Sequence, residues 1–135
     1  MKVCLDTNVL VSEFASRGLC ADLFELVLLE HDLVLGRHVL RELSKALRGK
    51  VKLPAARTSE IVEFVAGEAA QVVEEARAAD AKVDADDALV LGEALAGQAE
   101  IFVTGDAALL ELGSIGGLLV VSPRRFWEVL HSRER

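Results

Sequence analysis

The sequence predicts an α/β fold, a parallel sheet of short strands carrying helices on both faces. Three observations predict it. Short apolar segments alternate with amphipathic ones along the chain, the pattern of strand–helix units. The length of 135 residues is about one domain's worth, so a single domain spanning residues 1–135 is expected, large enough to bury roughly two-thirds of its unfolded surface. Hydrophobic residues make up 52% and charged residues 27%, enough apolar surface for a core, which excludes a disordered chain.

Each element follows in order. Lys2 to Leu5 is a short apolar first strand that Asp6 ends. Asn8 to Phe14 and Cys20 to Glu30 read as helices with a break near Ser16-Arg17-Gly18; Leu23, Leu26, Val27 and Leu29 keep helical spacing in the second. Leu33 to Leu35 is a second strand closed by Gly36. Arg37 to Arg48 is a helix with Val39, Leu40, Leu43 and Leu47 as its buried stripe, stopped by Gly49, with Pro54 in the loop beyond. Thr58 to Ala79 reads as one long amphipathic helix capped by Thr58 or Ser59. Asp84-Ala85-Asp86-Asp87 opens another, with Asp84 as candidate cap, running to about Ala96 before Gly97. Glu100 to Thr104 is a strand entering Gly105-Asp106, followed by a helical turn through Leu112, and Gly117 to Val121 is the last strand. Ser122 and Pro123, a cap followed by proline at the first helical position, start a closing helix through His131.

Two cysteines, Cys4 and Cys20, cannot build a disulfide scaffold, and no basic-then-apolar leader opens the chain; a reduced, cytoplasmic protein is expected. No apolar run is long enough to span a bilayer, so no membrane partner is expected. The formal net charge of -7 has the wrong sign for simple phosphate binding, yet charge is unevenly spread. Arg37 to Arg57 holds seven bases (among them Arg37, Arg41, Lys45 and Arg48) and the single acid Glu42, a local net charge of +6. Thr58 to Glu111 holds thirteen acids and two bases, a local net of -11. The basic segment is either a solvated helix face or a phosphate-tracking rim beside something that needs acids.

The acids themselves are individually ordinary. Asp6 and Asp106 each follow a strand, where aspartate often begins a turn or caps a helix. Asp86 and Asp87 stand at a helix start, which favours acids, although Asp87 shares a face with Leu91 and Leu95. Glu42 is a helix acid within reach of Arg41 or Lys45. In a parallel sheet, however, loops at the carboxyl ends of the strands build the site. There the acids would offer hard oxygen ligands from four separate elements, suited to Mg²⁺ or Mn²⁺. Such a site polarises a phosphodiester, and a basic rim holds the flanking phosphates. Acid cluster and basic rim together read as a metal-dependent nuclease.

Four segments also carry a family resemblance: Val3-Cys4-Leu5-Asp6-Thr7-Asn8-Val9-Leu10, Val39-Leu40-Arg41-Glu42-Leu43, Asp84-Ala85-Asp86-Asp87-Ala88-Leu89-Val90 and Phe102-Val103-Thr104-Gly105-Asp106. In order and spacing the chain resembles the PIN domain, and most closely the VapC-like toxin ribonucleases of toxin–antitoxin pairs. The resemblance implies a three-layer α/β/α sandwich with a short-stranded parallel sheet and an Mg²⁺- or Mn²⁺-dependent endoribonuclease. It implies Asp6, Glu42, Asp87 and Asp106 as the metal-binding, catalytic acids, with Asp86 as an extra ligand. Thr7 and Asn8 become polar supports near metal and scissile phosphate, and Thr104 a supporting hydroxyl. It also implies in-line attack of activated water leaving a 5′-phosphate and a 3′-hydroxyl, a homodimer, and a small antitoxin that blocks the site. The acidic net charge departs from what an RNA-binding surface usually shows.

Other readings are disfavoured on particular residues. A haloacid-dehalogenase-type phosphatase needs an acid where Asn8 stands; a receiver domain needs a late lysine, and Lys82 is the last. A dinucleotide site lacks its Gly-rich loop. His31, His38 and His131 have no metal-ligand spacing, so surface or interface roles are expected. Cys4 is expected to be packed, and Phe126 and Trp127 to serve core or dimer contacts. The remaining alternatives are an RNA-processing nuclease that is not a toxin, and a non-catalytic PIN-fold module that binds RNA or protein.

Overall fold

A computed structural model describes residues 1–15 and 18–133; the expected break at Ser16 and Arg17 lies outside them. The elements are β1 (Lys2–Leu5), α1 (Thr7–Ala15), α2 (Leu19–Glu30), β2 (Asp32–Gly36), α3 (Arg37–Gly49), α4 (Ala55–Glu68), β3 (Gln71–Val73), α5 (Ala85–Ala96), β4 (Ile101–Val103), α6 (Ala107–Leu110), β5 (Ser114–Ile115), β6 (Leu118–Val121) and α7 (Pro123–Arg133). They form the α/β sandwich that the strand–helix alternation predicts.

The sheet runs β3-β2-β1-β4-β6-β5. Every pairing is parallel except β5 with β6. Strand order therefore reverses between β1 and β4, the point where open α/β sheets leave a crevice beyond their carboxyl ends. Register fixes what reaches it. Leu5 lies opposite Val103, so Asp6 and Thr104 leave the two central strands side by side, and the Asp6 amide still donates to the Val103 carbonyl at 2.9 Å. Val3, Leu5, Leu33, Leu35, Phe102 and Val103 are at most 1% exposed: these strands are covered on both faces, which is why they read as unbroken apolar runs. The buried residues of α3 are Val39, Leu40, Leu43 and Leu47, the stripe its period predicts.

The long helix expected from Thr58 to Ala79 is not there. The helix starts at Ala55 behind Pro54, whose φ of -60° is already helical, and Thr58 is buried inside it. It ends at Glu68, and Gln71–Val73 pairs with Val34, Leu35 and Gly36 of β2. Alanines and glutamates favour a helix through this region, but two β-branched valines facing the open edge of β2 gain a full ladder. A second difference lies after α6. Ser114–Ile115 forms a hairpin with β6 around Gly116 and Gly117, whose φ values of 52° and 84° suit the tight turn that joins such strands. The sheet is thus parallel with one antiparallel edge.

Candidate metal-binding cleft

A cleft of about 750 Å³ opens at the β1–β4 switch point, lined by residues that include Asp6, Glu42, Asp84, Asp86, Asp87 and Asp106. The acids come from the end of β1, the middle of α3, the start of α5 and the end of β4. Asp6 is 7% exposed and held from three directions. Its Oδ1 accepts from the Thr7 amide at 2.8 Å; its Oδ2 accepts from the Thr104 hydroxyl at 2.7 Å and from Asn8 Nδ2 at 3.1 Å. Burial pushes its carboxyl pKa up, partly offset by the bonds from Thr104 and Thr7, while Asp106 adds a further upward push.

The same polar residues organise Asp106. Thr104 Oγ1 accepts from the Asp106 amide at 3.0 Å, and Asn8 Oδ1 accepts from the Gly105 amide at 2.9 Å. The Asp106 carboxylate caps α6 through the Ala108 and Leu109 amides. Thr7, Asn8 and Thr104 thus tie two carboxylates, Asp6 and Asp106, 100 residues apart in sequence, into one network. On α5, Asp84 Oδ1 accepts from the Asp87 amide at 2.8 Å, the cap expected there. Asp87 is pushed up to about 6, first by burial and then by Asp84, Asp106, Asp6 and Asp86. These carboxylates lie close enough to oppose one another's ionisation, which a bound cation relieves.

Among the described residues one group of three ligand atoms lies mutually within 4.8 Å, contributed by His38, Glu42 and Asp86. Asp6, Asp87 and Asp106 line the same cleft without forming so tight a group. His38, expected at a surface or interface, has a side chain only 13% exposed, with Nε2 at 3.1 Å from Asp86 Oδ1 and 3.8 Å from Glu42 Oε1. Its i, i+4 relation to Glu42 puts both on the cleft side of α3; that spacing was its one signal in the sequence.

The basic residues divide. Lys45 lies 3.8 Å from Glu42 and lines the cleft, as does Lys50. Arg41 and Arg48 are exposed on α3 and are not among the lining residues. Arg37, expected on the phosphate rim, is instead held by Glu74 through two bonds at 2.6 and 2.8 Å, a partner invisible while residues 58–79 read as one helix.

Sequence reasoning also missed Glu93. It is 6% exposed on an otherwise apolar stretch of α5, and its Oε2 accepts from the His38 amide at 2.8 Å. No side chain of α3 or its flank caps that helix, so Glu93 does so from α5. A Cβ on Gly36 would overlap the Glu93 carboxylate. The signal was present as the lone acid in Ala88–Ala96. Cys4 is 1% exposed, and burial raises its thiol pKa, so it is packed and inert.

The fold and its crevice define the class: an open α/β protein with carboxylates from four parts of the chain lining its switch point. The chain belongs to the PIN-domain family, whose profile matches residues 2–108. Among curated proteins none matches it. Among solved structures, a chain of VapBC2 from Rickettsia felis, determined bound to a DNA fragment from its promoter, superposes with a TM-score of 0.66 at 14% identity, covering 90% of this chain and 98% of that one. A chain of VapBC-1 from nontypeable Haemophilus influenzae gives 0.67 at 17% identity, covering 92% and 99%. At such identities the likeness is one of fold. Among the described residues no helix is long and apolar enough to cross a membrane.

Proposed function

We propose that this chain is a metal-dependent endoribonuclease of the VapC type, the toxin member of a toxin–antitoxin pair. The observation that carries this reading is the convergence of Asp6, Glu42, Asp87 and Asp106, with Asp86 beside them, on one cleft at the switch point of a PIN fold. All are oxygen donors, and Asp6 and Asp106 are already oriented by Thr104 and Asn8. Mg²⁺ binds through one or two carboxylates while keeping several waters, so it suits acids that face one cleft without closing tightly round it. Mn²⁺ accepts the same donors.

Bound there, the cation supplies Lewis-acid polarisation of a phosphodiester and a water of lowered pKa. The chain's residues supply the rest. Asp6 and Asp106 fix the cation side of the cleft against the sheet, and Asp87 and Glu42 face them from the helices. Thr7 and Asn8 hold the strand-end loop in place. Lys45 and Lys50 give the rim positive charge for flanking phosphates, with Arg41 and Arg48 farther out on α3. Both similar solved structures are named as VapBC assemblies, which supports a small antitoxin as partner. A homodimer follows from the family resemblance.

The test is cleavage of an end-labelled structured RNA by the purified chain with Mg²⁺ or Mn²⁺, with chelator, and by Asp6→Asn. Chelator-sensitive cutting that Asp6→Asn lacks, with an unchanged folded spectrum, is the expected result. Cutting by folded Asp6→Asn removes Asp6 from the reaction; cutting that survives chelator removes the metal. Growth arrest on expression, relieved by a co-expressed neighbouring small protein, separates a toxin from an RNA-processing nuclease.

A further inference from the structure

We infer that His38, Glu42 and Asp86 form a second cation site in the cleft, one that prefers a borderline ion of the Zn²⁺ class to Mg²⁺. The nuclease reading shares Glu42 and Asp86 with this site, and His38 is the ligand that reading does not use; the inference stands on the geometry of the three and not on RNA cleavage.

The donor set is the first argument. One imidazole nitrogen and two carboxylate oxygens lie mutually within 4.8 Å; all three are donor types that Zn²⁺ accepts, and the imidazole is the one that Mg²⁺ does not favour. A set made only of carboxylates would not discriminate against Mg²⁺. Spacing is the second. Four ligands about 2.0–2.1 Å from a tetrahedral Zn²⁺ stand about 3.3 Å from each other. The Nε2 atom of His38 lies 3.1 Å from Asp86 Oδ1 and 3.8 Å from Glu42 Oε1, bracketing that edge.

His38 Nε2 is shielded from solvent and makes no hydrogen bond, although a carboxylate oxygen stands 3.1 Å away. The charged neighbours of this nitrogen within 4 Å are thus carboxylate oxygens, Asp86 Oδ1 at 3.1 Å and Glu42 Oε1 at 3.8 Å. A nitrogen left this way is costly unless something completes it. The helix places it firmly, since the His38 amide is held by Glu93. Lys45 Nζ, 3.8 Å from Glu42 Oε1, is the competing cation, but its side chain is 77% exposed and free to swing toward solvent.

The test is a Co²⁺ titration of the chelator-stripped chain, followed by visible d–d absorption, with Zn²⁺ and Mg²⁺ as competitors. It is repeated on His38→Gln, Asp86→Asn and Asp6→Asn, each checked for folding by its urea midpoint. The expected result is a Co²⁺ band displaced by Zn²⁺ far more readily than by Mg²⁺, in both wild type and Asp6→Asn. His38→Gln and Asp86→Asn should bind at least about tenfold more weakly, since even the outer partners of a metal ligand are typically worth that much. Equal Co²⁺ affinity in wild type and His38→Gln would overturn the site and leave the acids alone as binders. Absence of any Co²⁺ band would also overturn it, leaving His38 an ion-pair partner of Asp86. Because Asp6→Asn disables the proposed nuclease centre and spares these three ligands, the two readings fail separately.

Discussion

Replacing Gly36 by alanine brings a methyl group into the space of the Glu93 carboxylate, and the structure sets the size of the consequence. The backbone is no obstacle, because Gly36 has φ -109° and ψ 164°, a conformation any residue adopts. Glu93 must therefore leave. Its departure strips the His38 amide of its acceptor at the uncapped start of α3, which costs about 1–3 kcal/mol, and removes a negative charge from the positive end of that helix, worth up to about 2 kcal/mol when partly buried. These overlap, so about 2–3 kcal/mol is the combined loss. Against it stands the lower unfolded-state entropy of alanine, about 0.4–1 kcal/mol. In a Glu93→Ala background only the favourable part remains. Gly36→Ala should then be neutral or slightly stabilising, a coupling between the two sites of about 2–3 kcal/mol. Urea unfolding of wild type, both single variants and the double variant at pH 7 reads it directly. If Gly36→Ala costs the same in both backgrounds to within about 0.5 kcal/mol, the account of Glu93 as the cap of α3 is wrong.

Two further predictions rest on charge. Glu13 on α1 has a buried Oε2 without a hydrogen-bond partner, and its carboxyl is pushed up to about 7 by burial, then by Glu25 and Asp22. A folded-state pKa above the ordinary one gives stability that is present below about pH 4.5 and is lost as pH rises through about 7. Glu13→Gln should therefore melt higher than wild type at pH 8 and with it at pH 4; an equal offset at both would refute the ionisation argument. On the cleft rim, Lys45→Ala with Lys50→Ala, in cleavage-deficient Asp6→Asn, should weaken single-stranded RNA binding and reduce its salt slope by about 1.4. Arg37→Ala should leave that slope unchanged because Glu74 already neutralises it; the reverse pattern would place the phosphate path over Arg37.

Much of the fold was readable because apolar periodicity is a local signal. The buried stripe of α3, the Asp84 cap and the proline start of α7 all follow from residues within one or two turns. What escaped depended on distant partners. Val72 and Val73 are strand residues only because β2 offers them an edge. The Gly116-Gly117 turn was present in the sequence, but β5 exists only through its ladder to β6. Asp6, Asp86, Asp87 and Asp106 were legible because strand ends and helix starts locate themselves, whereas Glu42, in the middle of α3, stood out only as the lone acid of a basic stretch. The roles of His38 and Glu93 were not: α3 and α5 must cross before an amide of one meets a carboxylate of the other.

The bond from Thr104 to Asp6 joins residues 98 positions apart, and this imposes an order in time. In a chain made from its amino terminus, Asp6 precedes the hydroxyl that orients it by 98 residues of synthesis. Until β4 lies down beside β1, Asp6 has neither Thr104 nor the facing Asp106. Long-range pairing of this kind is also the slow part of folding. The cleft therefore cannot be arranged before β4 has paired with β1. For a protein proposed to cut RNA, a chain that has not yet reached β4 carries Asp6, Glu42 and Asp87 without Asp106 and without the hydroxyl that orients Asp6.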